Sequence, residues 1–86
     1  MTLLLNIVRT SDSLEVIESA CTVLWGLSEA PSNKVQFVDN SLDFPHVCCL
    51  ALKHTNWDED VKFVISGICR NVGLEFEGIL RDSKYA

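Results

Sequence analysis

Leu14-Glu-Val-Ile-Glu-Ser-Ala-Cys-Thr-Val-Leu-Trp-Gly-Leu-Ser28 and, 44 residues further on, Asp58-Glu-Asp-Val-Lys-Phe-Val-Ile-Ser-Gly-Ile-Cys-Arg-Asn-Val72 decide the fold of this chain. In the first stretch Leu14, Ile17, Ala20, Leu24 and Leu27 recur at spacings of three and four. One buried face of an α-helix needs that period. In the second, Val61, Val64, Ile65, Ile68 and Val72 do the same. A shift of 44 residues lays Ile17 on Val61, Ala20 on Val64 and Leu24 on Ile68.

Start and stop signals frame both helices. Asp12-Ser-Leu-Glu15 reads as a capping box before the first, and Pro31-Ser32 as its stop. Asn56-Trp-Asp-Glu59 reads as the cap of the second, and Gly73 as its end. Between them, Asn33-Lys-Val-Gln36 predicts a short helix to about Asp39, with Val35 and Phe37–Val38 turned inward. Another helix is predicted from Asp43 to about Lys53, with Pro45 in its first turn, where a missing N–H costs nothing. Leu3, Leu4, Leu5, Ile7 and Val8 start the chain on a helical pattern, and Phe76, Ile79 and Leu80 predict a short last helix. No strand pattern competes. The expected class is all-α.

Order and spacing together resemble the armadillo family. Ala20-Cys-Thr-Val-Leu-Trp-Gly-Leu-Ser28 is similar to that family's Ala/Leu-rich third helix, and Asn33-Lys-Val-Gln-Phe-Val-Asp-Asn40 to its short first helix and turn. Phe44-Pro45, with Val47 and Leu50, is similar to its Pro-led second helix. A period of 42–45 residues falls in the armadillo/HEAT range. The resemblance implies a short right-handed armadillo-like α-solenoid of about two repeats, forming one domain over 1–86. Residues 1–29 would be a partial repeat, 33–73 a complete one and 75–86 the start of the next. Such a repeat cannot bury its own faces, so both ends are expected to expose apolar surface and to need neighbouring repeats or a second copy.

Composition narrows the function. The chain has 86 residues, is 48% hydrophobic and carries a net charge of −5. Its seven Lys and Arg form no run, which argues against nucleic acid. No apolar stretch approaches the ~20 residues of a membrane span. Four cysteines in apolar helical patterns point to a reducing compartment, cytosol or nucleus. Phosphate-binding loops and nucleophile–base arrangements are missing, so no enzyme, cofactor or small-molecule substrate is expected. His46 and Cys49 share a helix face, but without a Cys-x-x-Cys pair they read as core rather than metal ligands.

What is left is protein binding or, as the alternative, a structural role in which the chain completes a larger solenoid or self-associates with no independent ligand. In the resembled architecture, third helices line a groove. One arc of the first long helix carries Glu15, Glu18, Ser19, Thr22, Gly26 and Glu29, with Trp25 at its border. One arc of the second carries Glu59, Lys62, Ser66, Arg70 and Gly73, with Phe63 beside it. Candidate contacts for a protein partner are therefore Thr22, Trp25, Gly26, Glu29, Lys62, Phe63, Ser66 and Arg70. The Trp and Asn ladder with which importin-alpha-type members hold basic peptides would fall on Thr22, Gly26, Ser66 and Arg70, and is absent. The arcs mix charges, leaving the partner's sign open.

Overall fold

Ser13 starts the first long helix. Its side chain accepts a hydrogen bond from Val16 N (3.4 Å) and Ser11 Oγ accepts one from Ser13 N (3.1 Å), so the cap sits one residue later than the capping-box pattern placed it. In the computed structural model, which describes residues 2–39 and 43–81, six helices follow in order: α1 (Thr2–Thr10), α2 (Leu14–Ser28), α3 (Pro31–Phe37), α4 (Phe44–His54), α5 (Glu59–Val72) and α6 (Phe76–Arg81). Among the described residues there is no strand. None of the helices is long and apolar enough to cross a membrane.

Two further helix starts differ from the sequence expectation, each for a local reason. Asn56 does not cap α5. It stands at φ 55°, just past α4, with its N–H on Lys53 O (3.1 Å), while the Trp57 N–H reaches Leu52 O (2.7 Å). That pair of bonds is a Schellman closure, and asparagine is the residue after glycine best able to take its left-handed position. Asp58 is the true cap of α5, accepting from Asp60 N (3.0 Å) and Val61 N (3.1 Å). Similarly, α3 opens at Pro31 with Ala30 before it, not at Asn33. The Asn33 amide instead donates to Leu27 O (3.0 Å), tying α3 to the last turn of α2. Pro45 sits in the first turn of α4, and Gly73, at φ 82°, closes α5.

The core collects one face from each helix. Ile17, Leu24, Val61, Ile65 and Ile68 are fully buried, joined by Leu5 and Val8 of α1 and Leu52 of α4. Burying each such side chain stabilises the fold by about 1.5–3 kcal/mol. Phe37 of α3 and Phe44 of α4 meet edge-on, ring centres 5.1 Å apart. Of the three α3 positions expected inside, only Phe37 is; Val35 is 69% exposed and Val38 is exposed too. A helix of seven residues has room for one inward face, and Phe37 fills it.

The most extensive contact runs between α2 and α5. Glu18 approaches Asp58 and Asp60, Trp25 meets Phe63, and Asn71 reaches Ser28, so the two helices lie parallel. Beside them α1 packs on both α2 and α4, α3 on α2 and α5, and α6 on α4 and α5. Asn40 and residues beyond 81, which the sequence assigned to a turn and to the last unit, lie outside the described residues.

Candidate interaction surface on α2 and α5

Trp25 is placed by a glycine. A Cβ on Gly67 would lie 2.5 Å from Cε2 of the Trp25 indole, so only a hydrogen there lets the ring lie against α5. Half-buried, the indole then presents itself to Phe63 one turn earlier, ring centres 5.6 Å apart and planes at 71°. This edge-to-face pair is worth about 0.5–1.5 kcal/mol beyond its buried area. Phe63 itself stays 58% exposed.

A shallow cleft of about 270 Å³ opens next to Phe63. Its walls are Glu59, Lys62, Phe63 and Ser66 of α5, with Phe76 and Glu77 of α6. Of the eight residues singled out from the sequence, Lys62, Phe63 and Ser66 thus share one cleft, and Trp25 supports Phe63 from behind. Thr22, Gly26, Glu29 and Arg70 are exposed but line no part of that cleft. The Thr22 and Ser66 hydroxyls donate to carbonyls of their own helices, Glu18 O and Phe63 O, each at 2.8 Å.

Three residues of this region were not read from the sequence. Phe76 reads in the sequence only as a periodic apolar position. Gly67 carried a usable signal, because a glycine inside a helix costs about 1 kcal/mol against alanine and so needs a packing reason. Asn71 donates from Nδ2 to the buried Ser28 Oγ (2.9 Å), whose own hydroxyl donates to Trp25 O (2.6 Å). That chain of bonds locks the C-terminal turns of α2 and α5 together.

At the other end of the α2/α5 contact, carboxylate oxygens of Glu18, Asp58 and Asp60 gather within 4.8 Å. Asp58 is occupied as the α5 cap, and negative charge there is favoured by the helix dipole. His46 is exposed with Nδ1 3.8 Å from Asp43 Oδ2, and Cys49 is buried in the core.

All four cysteines are buried free thiols. Burial pushes Cys21 up from its ordinary 9.0 to about 12 and Cys48 well above it. The Cys48 thiol is hydrogen-bonded to Cys69, which holds Cys69 lower. At neutral pH, Cys21 and Cys48 therefore remain protonated, and a protonated thiol is a poor nucleophile.

No family model, curated protein or solved structure matches the chain.

Proposed function

We propose that this chain is a right-handed, armadillo-like solenoid segment of about two repeats that serves as a protein-interaction module. It would bind a protein partner on the α2/α5 surface, with Phe63 at the centre. Support for the repeat comes from the pairing of like with like: α1 lies against α4 and α2 runs parallel to α5. These are the relations that stacking two copies of one helical unit produces.

The observation that carries the binding reading is Phe63. A large aromatic ring, more than half exposed, is braced by Trp25 and flanked by a cleft holding Lys62, Ser66 and Phe76. Rigid aromatic groups of this kind are typical energetic centres of interfaces, and truncating one costs 2 kcal/mol or more as an order of magnitude. Lys62, Glu59 and Glu77 supply a polar rim of both signs. An apolar side chain with polar neighbours is the partner feature that fits.

The test compares proteins captured by the wild-type chain with those captured by Phe63→Ala, using Val35→Ala as control. Val35 is at least as exposed but lies on α3. A partner held by wild type and Val35→Ala, and bound at least about tenfold more weakly by Phe63→Ala, supports the proposal. Equal capture by all three overturns it.

A further inference from the structure

Three helices send cysteines into the core: Cys21 from α2, Cys48 and Cys49 from α4, and Cys69 from α5. Burial of a small thiol among Ile, Leu and Val is ordinary packing. Two of the four do more than fill space. The Cys48 and Cys69 thiols are hydrogen-bonded to each other where α4 packs on α5, although 21 residues separate them in the chain.

The grouping suits a disulfide better than a metal. A thiolate metal site gathers three or four ligands around one ion. Among the described residues, no three cysteine or histidine ligand atoms come within 4.8 Å of one another. A disulfide needs only two sulfurs in contact. Cys49 is the wrong partner for Cys48, because neighbours on a helix leave its axis about 100° apart.

Position gives the two thiols different parts. Cys69 lies in the last turn of α5, three residues before its end at Val72, and helix ends open more readily than helix middles. Its bond to Cys48 also favours the Cys69 thiolate, while Cys48, in the middle of α4, keeps its proton. Reaction with a small disulfide such as oxidised glutathione therefore starts at Cys69. The Cys69 thiolate attacks one sulfur of the oxidant, forms a mixed disulfide and releases the other half as a thiolate. Cys48 passes its proton to that thiolate, attacks the Cys69 sulfur and expels the second half, which takes a proton from water. The oxidant is reduced to two thiols, and two protein thiols become one disulfide.

We propose that Cys48 and Cys69 are a thiol–disulfide switch: a small disulfide oxidant joins them in a bond that fastens α4 to α5, and a dithiol reductant releases it. The closed loop contains the whole Asn56–Asp58 join between the two helices. The switch is independent of Phe63 as a partner site.

The test incubates the 86-residue chain with excess oxidised glutathione in mildly alkaline buffer without denaturant. Intact mass and tryptic mapping follow, after alkylation of the remaining thiols. Cleavage after Lys34, Lys53, Lys62 and Arg70 puts Cys48 on residues 35–53 and Cys69 on residues 63–70. Wild type should lose two hydrogens, keep its helicity by circular dichroism and yield these two peptides joined. Dithiothreitol should separate them again. Cys49 shares a peptide with Cys48, so tandem fragmentation should place the bond at Cys48 without any substitution. Cys49→Ala should still form the bond, and Cys48→Ala, if folded, should not. In urea, where no pair is held in contact, the same oxidant should scatter bonds among all four cysteines. Separate peptides after oxidation overturn the proposal, as do a bond placed at Cys49, loss of helicity on oxidation, or the same mixture of pairings with and without urea.

Discussion

Gly67 and Trp25 form one device shared between two helices, and neither can be understood alone. In isolation, Gly67→Ala improves a helix by about 1 kcal/mol. Here the added Cβ meets the indole at 2.5–2.7 Å, a distance real Cβ atoms do not tolerate. Displacing a rigid indole is costly, and overpacking of this sort destabilises by about 1–3 kcal/mol. Gly67→Ala is therefore expected to lower stability in urea unfolding and to shift the fluorescence of Trp25. In a Trp25→Ala background the same change should turn neutral or stabilising, since only the propensity gain is left. A double-mutant cycle measures the difference, and additive effects would refute the wedge. The same logic separates Trp25 from Phe63: the first is mainly a packing residue between helices, the second the exposed ring of the pair.

At the scale of elements, the join between α4 and α5 shows how one short segment serves two helices. Asn56 ends α4 in a left-handed conformation, Trp57 follows at φ 60°, and Asp58 opens α5. Asp58→Ala removes both N–H contacts of the cap and should cost about 1 kcal/mol in thermal or urea unfolding. Asn56→Gly should be neutral or slightly stabilising, because glycine adopts positive φ without a Cβ penalty. A loss at Asn56→Gly as large as at Asp58→Ala would restore the cap to Asn56. Sequence could not separate these roles: Asn and Asp are good helix starters, but Asn also closes helices, and only the path of the chain shows which it does.

For the whole molecule, the buried thiols make a prediction about pH. Cys21 keeps its proton in the fold up to about 12, against an ordinary 9.0. Between those values the folded state binds more protons than the unfolded one, so stability falls as pH rises. Below pH 9 this contribution is fully present; it is lost progressively toward pH 12, by up to about 1.4 kcal/mol per pH unit. Cys48, raised in the same way, adds to the decline, whereas Cys69, held lower by its bond to Cys48, gains its contribution below 9 and adds no slope above it. Urea midpoints measured from pH 7 upward should thus decline above 9, and Cys21→Ala should flatten that slope. An unchanged slope in Cys21→Ala would show that Cys21 titrates as an exposed thiol.

The number of helices, their approximate limits and much of their buried faces follow from the sequence by itself. Ile17, Leu24, Val61, Ile65 and Ile68 could be assigned inward because helical period is a local property, written over ten or fifteen consecutive residues. Pro45 and Gly73 could be placed for the same reason, as their backbone limits travel with the residue. Candidate contacts were half legible: periodicity put Lys62, Phe63 and Ser66 on one side of α5, but not Phe76 of α6 beside them. The tertiary structure alone decided the Gly67 notch for Trp25, the Ser28–Asn71 bond and the approach of Glu18 to Asp58 and Asp60. It alone left Val16 and Val23 open along a groove. Each of these depends on how two helices some forty residues apart lie against each other. That choice is made by the packing of whole faces, which no local pattern encodes.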